Sequence, residues 1–257
     1  MGKIGKLDTD TNALTARINA HAVYGSRNLE EWVFSQLDVR PKQHILELGC
    51  GTGKQTIQLA RLVGAEGHIT AMDIAADSLS LLRTQALSEG VMARITLIKS
   101  GLDETEKYAS GTELFDRAVA CYSIYYANNP EHVFTVVHGV LKRSGRLFFC
   151  GPAKTNNAEL KAFHHALSGS TIRAGAAPFM EEAGQKLARQ LFEKVEISTF
   201  ENPLSFNSAA ALYEYWRSYN LYDPQLDSAF KAAASEYFHK HNVFTTYKRV
   251  LGVLAAK

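Results

Sequence analysis

The 257 residues suffice for one large α/β domain with insertions or for two small domains, and their apolar content is ample for a core. Lysine and arginine total 28 against 26 aspartates and glutamates, a formal charge of +2 that implies neither a nucleic-acid partner nor a charged membrane surface. Cys50, Cys121 and Cys150 are odd in number and far apart, which argues against a disulfide framework or a zinc or iron–sulfur spacing and suits a reducing compartment.

Apolar residues at helical spacing, Leu14, Ile18 and Val23, then Leu29, Trp32 and Val33, predict two helices between Ala13 and Leu37 with a break at Gly25. Residues 1–38 therefore read as a helical lid ahead of the core. The opening MGKIGKLDTD has no apolar signal core, and no run of 18 apolar residues occurs, so a cytoplasmic protein outside the membrane is expected. After Pro41, His44 to Leu48 is a short strand that ends in a glycine-rich turn and opens a helix from about Lys54 to Val63, which Gly64 can terminate.

The alternation continues with a strand His68 to Met72, a helix Ala76 to Ser88, strands Arg94 to Ile98 and Phe115 to Cys121, a helix Pro130 to Leu141 and a strand Gly145 to Cys150. This rhythm over residues 39–155 predicts a parallel sheet. Residues 156–192 read as a first helical insertion and 193–202 as a sixth strand, centred on Lys194 to Phe200. Residues 203–242 form a second helical insertion, or cap, and 243–257 hold a final strand from Phe244 to Leu254. With no repeat and no linker-like tract, one compact domain with a cap is the simplest organisation.

Ile45-Leu46-Glu47-Leu48-Gly49-Cys50-Gly51-Thr52-Gly53 leaves a strand and enters a helix, where glycines let backbone approach a nucleoside cofactor. Twenty residues on, Asp73 stands at the end of the second strand, where a carboxylate can accept from both ribose hydroxyls. A dinucleotide fingerprint would place its third glycine at position 54, where this chain has Lys54, so NAD is expected not to bind. Glu47 is unwelcome beside a pyrophosphate and welcome beside a sulfonium ligand with an ammonium group, which favours S-adenosylmethionine. Three alternatives stay open: Gly49, Gly51 and Gly53 as only a tight strand-to-helix turn, Asp73 as a helix cap and Glu47 as an ordinary strand-end residue.

In Glu47 to Gly53 and Asp73-Ile74 the chain resembles the class I S-adenosylmethionine-dependent methyltransferases, of the small-molecule type. The likeness extends through Phe115-Asp116-Arg117-Ala118-Val119 and Leu141 to Leu147, covering roughly residues 40 to 152. It implies an α/β fold with a Rossmann-like, seven-stranded, mostly parallel sheet, helices on both faces, an antiparallel last strand and helical cap insertions. It also implies that Glu47 and the Gly49 backbone hold the methionine end, Asp73 the ribose and Ile74 one adenine face, with Gly51, Gly53, Gly101, Leu102 and Cys121 completing the cofactor site. Where relatives carry Gly-Asp-Ala, this chain reads Ser100-Gly101-Leu102-Asp103, leaving the adenine amino group to Asp103 or to the Leu102 backbone.

Methyl transfer from a sulfonium is an in-line displacement, so alignment and exclusion of water matter most and a catalytic base is optional. Ligands of open α/β sheets lie beyond the strands' carboxyl ends, which makes Tyr122, Tyr125 and Tyr126 after the fourth strand, and Trp216 of the cap, candidate substrate contacts. Tyr213, Tyr215, Trp216, Tyr219 and Tyr222 form either a substrate wall or packing within the cap. His21 and Tyr24 in the leading helices and His164 and His165 in the first insertion are candidate bases, with none distinguished.

A DNA amino-methyltransferase would carry an Asn or Asp, Pro, Pro, aromatic string where Cys121-Tyr122-Ser123-Ile124 stands, so no nucleic-acid substrate is expected. No ligand set for a divalent metal of the catechol-enzyme kind is visible, and no metal is expected. The expected function is transfer of a methyl group to oxygen or nitrogen of a small-molecule acceptor, with a homodimer compatible with the sequence. A protein that binds S-adenosylmethionine as a sensor without transferring its methyl group is the alternative.

Overall fold

The computed structural model describes residues 11–109, 114–169 and 177–257; residues 1–10 of the expected lid and 170–176 of the first insertion lie outside them. Among the described residues two helices come first, α1 (Thr11–Tyr24) and α2 (Leu29–Leu37). Asn28 caps α2 by accepting from Glu30 N, with Glu30 and Glu31 in the first turn, where the helix dipole favours acids.

The core then alternates through β1 (His44–Leu48), α3 (Thr56–Val63), β2 (His68–Asp73), α4 (Ala76–Ser88), β3 (Ile95–Lys99), α5 (Thr105–Tyr108), β4 (Phe115–Cys121), α6 (Pro130–Val140) and β5 (Leu141–Pro152); the short α5 falls where the sequence predicts no helix, and β5 starts at Leu141, ahead of the expected Gly145. Helix α3 begins two residues later than expected because Gly53 and Lys54 still belong to the turn, with Gly53 N donating to Cys50 O. After β5 come α7 (Ala158–Ser168), α8 (Ala177–Glu181), α9 (Ala183–Leu191), β6 (Lys194–Phe206), α10 (Ala209–Arg217), α11 (Asp227–Lys240) and β7 (Phe244–Ala256).

The seven strands among the described residues order as β3-β2-β1-β4-β5-β7-β6. The first five strands are mutually parallel, and β7 runs antiparallel to both neighbours. Each sheet face is covered by helices, as a parallel sheet requires. One apolar cluster joins Leu46, Leu48, Ala118 and Phe149 to Val133, Phe134 and Val137 of α6 and Ala188 of α9. The other joins Ile45, Ile69, Val119 and Phe148 to Val33 and Leu37 of α2, Leu59 and Val63 of α3 and Leu82 of α4.

Strand β6 departs most from expectation. It runs on through Pro203 to Phe206, paired with β7 down to Phe244. β6 is the sheet's edge, where a proline without an N–H is tolerated. β7 contacts β5 only from Val250 onward, so Phe244 to Arg249 and their β6 partners project about 20 Å past the ends of the parallel strands. Around this overhang lies a third cluster, with Leu204, Phe206 and Phe244 packed against Leu212, Tyr215 and Trp216 of α10, Phe230 of α11 and Leu160 of α7.

The two leading helices divide between these layers. α2 packs on the sheet through Val33 and Leu37, and its Trp32 ring lies against Phe148 and Phe200. α1 instead joins the overhang, with Ala20 and Tyr24 in the third cluster. Buried Asn202 of β6 fixes the bend between them, accepting from Ser26 N and Arg27 N, both at 2.9 Å, and donating to Arg27 O at 3.0 Å.

Candidate cofactor and acceptor site

The glycine turn lies at the carboxyl end of β1, in the middle of the sheet. Gly49 and Gly53 hold φ values of +75° and +88°, a region L side chains rarely adopt. A Cβ on Gly49 would fall 2.3 Å from Ser123 Cβ, and one on Gly53 2.1 Å from Leu82 Cδ1. The turn is thus wedged between the loop after β4 and helix α4, and Ser123 Oγ donates to Leu48 O across the gap.

Asp73 joins the turn to the next helix. Its Oδ2 accepts from Gly51 N at 2.7 Å and its Oδ1 from Ala75 N at 2.8 Å, so it does serve as a local turn-former before α4. A carboxylate has about four acceptor sites, which leaves capacity for hydroxyl donors from outside. Ile74, beside it, is 73 % exposed, unusual for a large apolar side chain at a strand's end. Gly101 and Leu102 follow β3 next to it, and a Cβ on Gly101 would lie 4.0 Å from Ile74 Cδ1. Asp103 is committed elsewhere: its carboxylate accepts from Asn128 N, Asn128 Nδ2 and Asn129 N, which brace the loop after β4. Partial burial works against its ionisation, but those hydrogen bonds hold its pKa below the ordinary value.

Glu47 is buried at 2 % exposure, so it is not an ordinary strand-end residue. Thr56 Oγ1 donates to its Oε2 at 2.6 Å, and no lysine, arginine or histidine pairs with it among the described residues. Burial, opposed by the Thr56 hydrogen bond and reinforced by Asp73 and Glu30, pushes its pKa up to about 8. Because this lies above the unfolded value, the group adds stability below the unfolded pKa of 4.5 that is lost as pH rises through about 8. Ligand-free protein should therefore lose melting temperature between pH 5 and 9, Glu47→Gln should flatten that slope, and a cationic ligand should oppose it. Thermal unfolding with and without S-adenosylmethionine checks all three; an unchanged slope in Glu47→Gln would refute the assignment.

Beyond the turn, at the ends of β4 and β5, Cys121 and Cys150 are register partners, and Tyr122 follows with φ +59° and its N–H donating to Cys150 O at 2.8 Å. Facing Tyr122 is a polar chain that unites α1, α10 and β7. Lys248 Nζ lies 3.1 Å from His21 Nδ1, and His21 Nε2 lies 3.2 Å from Tyr215 OH. Tyr215 OH reaches Asn157 Oδ1 at 3.3 Å and Tyr219 OH at 3.1 Å. Burial first, then Lys248, Arg17 and Lys54, lower the His21 pKa to about 2, so its imidazole is neutral.

Of the four candidate bases, the structure brings only His21 near the turn. Tyr24 packs on Phe206 with centroids 4.7 Å apart, inside the cap. His164 is buried there, its Nδ1 accepting from Trp216 Nε1 at 3.3 Å, and His165 is exposed on the same helix. Trp216 has no exposed surface and stacks on Phe230 at 4.1 Å, so it holds the cap together rather than facing an acceptor. Tyr125 is likewise buried, in the cluster under α6 and α9, with half-buried Tyr126 against it at 4.6 Å. Of the four proposed substrate contacts, Tyr122 lies against the polar chain, its ring centroid 5.8 Å from Lys248 Nζ. Sequence reading missed Lys248, although the period-two pattern of β7 places a lysine between buried Thr246 and Val250.

A central sheet of this order, with a glycine turn after β1 and an acid ending β2, is the fold of the S-adenosylmethionine-dependent methyltransferases, and the family comparison gives the class. A family model described as a methyltransferase domain matches residues 40–196, and the chain belongs to that family. It is 27 % identical over 193 residues, 75 % of each chain, to a ubiquinone/menaquinone biosynthesis C-methyltransferase UbiE from Coxiella burnetii strain CbuK_Q154. The counterpart from strain Dugway 5J108-111 is 30 % identical over 139 residues, 54 % of each chain, so that match spans about half of the relative's length. A SAM-dependent O-methyltransferase from Thermotoga maritima shares the fold at a TM-score of 0.52 and 15 % identity, over 98 % of this chain and 70 % of that one. No helix among the described residues is long and apolar enough to cross a membrane, and no group of three or more His, Cys, Asp or Glu among them could hold a metal ion.

Proposed function

We propose that the chain holds S-adenosylmethionine along Glu47, the 49–53 turn, Asp73 and Ile74 and transfers its methyl group to a ring carbon of a small hydroxylated acceptor seated over Tyr122. The observation that carries the cofactor half is Glu47, a buried carboxylate without a cation, which fits the ammonium of the methionine moiety. Asp73 keeps acceptor capacity for the ribose, Ile74 and Gly101 offer an open apolar surface for adenine, and the Leu102 backbone lies beside them. Cys121 completes the proposed site from the end of β4, with the backbone of Gly49 and Gly53 held tight against Ser123 and Leu82 and Gly51 open to the outside. When bound, S-adenosylmethionine supplies an electrophilic methyl carbon on a sulfonium.

The protein's part is alignment and exclusion of water, with Tyr122 presenting a ring and the Lys248–His21 pair presenting polar groups to the acceptor. Carbon is favoured over the oxygen or nitrogen of the initial expectation because the UbiE relatives bear the name of C-methyltransferases of quinone biosynthesis. The test is incubation of the protein with S-adenosylmethionine carrying a carbon-13 methyl group and a panel of hydroxylated aromatic acceptors. A product signal in the ring-methyl region is the expected result. An O-methyl or N-methyl signal would overturn the carbon assignment, and cofactor binding with no labelled product on any acceptor would favour the sensor.

A further inference from the structure

Lys248 occupies an unusual place for a lysine. It lies on the overhanging half of β7, opposite Asn202, in the same register as buried Thr246 and Val250. Its ammonium donates to His21 Nδ1 and sits 5.8 Å from the centroid of the Tyr122 ring. No carboxylate among the described residues forms an ion pair with it. Glu30 of α2, the acid that influences it, is already taken by Lys54 Nζ at 2.8 Å and Gln55 Nε2 at 2.7 Å. Arg17 of α1 and Lys54 add positive charge to the same crevice. Tyr122 is next to Ser123, which contacts Gly49, so this cation stands beside the glycine turn.

A half-buried cation with a neutral imidazole and an aromatic face beside it, but no paired anion, loses part of its hydration without return until a ligand supplies one. Lysine is a point charge, without the fork that matches the two oxygens of a carboxylate, and so suits a single anionic oxygen on a ring that can lie against tyrosine. His21 does not act as the base: it is neutral, and with the ammonium donating to Nδ1, its Nε2–H is left to donate to Tyr215 OH. The cation does electrostatically what a base would do, lowering the pKa of a hydroxyl so that its proton leaves to solvent as the acceptor binds.

We propose that Lys248 determines acceptor specificity by receiving an ionised hydroxyl oxygen, a phenolate or enolate, over Tyr122 beside the glycine turn. The inference rests on the hydroxylated-acceptor reading above and adds the acceptor's charge state and the residue that selects it. Burial, with Lys54 and Arg17 acting in the same direction and Glu30 and Cys150 against them, brings the Lys248 pKa down to about 8. His21 and Arg17 from α1, Glu30 from α2, Lys54 from the turn, Cys150 from β5 and Tyr122 after β4 are the groups that face it.

The probe is 4-nitrophenol, whose absorbance reports its ionisation, titrated between pH 6 and 9 into the full chain saturated with S-adenosylhomocysteine. Bound to the wild type, the probe should ionise at least about one pH unit below its free pKa, about a tenfold preference for the anion. Lys248→Met, which keeps the apolar stem, should lose that shift and bind the ionised probe at least tenfold more weakly, and Lys248→Arg should restore most of it. Calorimetry with S-adenosylhomocysteine, expected to be equal for all three proteins, shows that each is folded. Lys248→Met with shift and affinity retained would overturn the assignment of Lys248 and leave the acceptor class standing. A wild type that takes benzoate instead, or neither probe, while binding S-adenosylhomocysteine overturns the acceptor class as well.

Discussion

Asp73→Ala should weaken S-adenosylmethionine binding at least tenfold. Each hydrogen bond to a charged acceptor is worth about 1.5 to 3 kcal/mol, so losing one bond to a ribose hydroxyl already suffices. The geometry adds a second loss, because the same carboxylate orders the turn through Gly51 N and the start of α4 through Ala75 N. Titration calorimetry checks the affinity. Asp73→Asn separates the two effects: it keeps an acceptor for a backbone N–H but lacks the charge, and should fall between wild type and alanine. Unchanged affinity in Asp73→Ala would remove Asp73 from the cofactor site.

Trp216→Ala should have the largest effect on stability. Removing a buried tryptophan side chain costs about 3 to 5 kcal/mol, which at about 2 to 4 °C per kcal/mol lowers the melting temperature by roughly 10 °C. The ring lies parallel to Phe230, 7° apart, and its Nε1 donates to His164 Nδ1, so the change also leaves a buried acceptor unpaired. Thermal unfolding measures the loss. Cofactor affinity of the folded protein should stay within about twofold, since Trp216 belongs to the cap's apolar cluster and not to the glycine turn. A stable variant with a raised acceptor KM would restore Trp216 to the acceptor wall.

Near-diagonal features of the chain were legible from residue types alone. Strands His44–Leu48 and Phe115–Cys121 and helix Ala76–Ser88 fall where apolar runs and periodicity place them, because each is bounded by a local signal and buried on a regular face. The glycine turn was equally legible, since its spacing and its place between strand and helix are local properties. The extent of β6 was not. Pro203 reads as a stop, and only the strand's position at the sheet edge makes it harmless.

The proposed acceptor crevice was the least legible part, for a physical reason. Its groups come from the two ends of the chain: His21 and Lys248 are 227 positions apart, and Tyr215 reaches His21 from 194 positions away. Four histidine and tyrosine candidates of equal standing could be ranked only by the overhang of β6 and β7, which carries α1 over the site and takes His164, Tyr24 and Trp216 into the cap's own interior. Residue order and short spacing thus suffice for the leading strands and helices, for the position of the glycine turn and for Asp73, whose partners Gly51 and Ala75 lie within one strand–helix–strand unit. The burial of Glu47, the pairing of Lys248 with His21 and the fate of each cap aromatic depend on packing between distant segments, where a side chain's meaning is set by what closes over it.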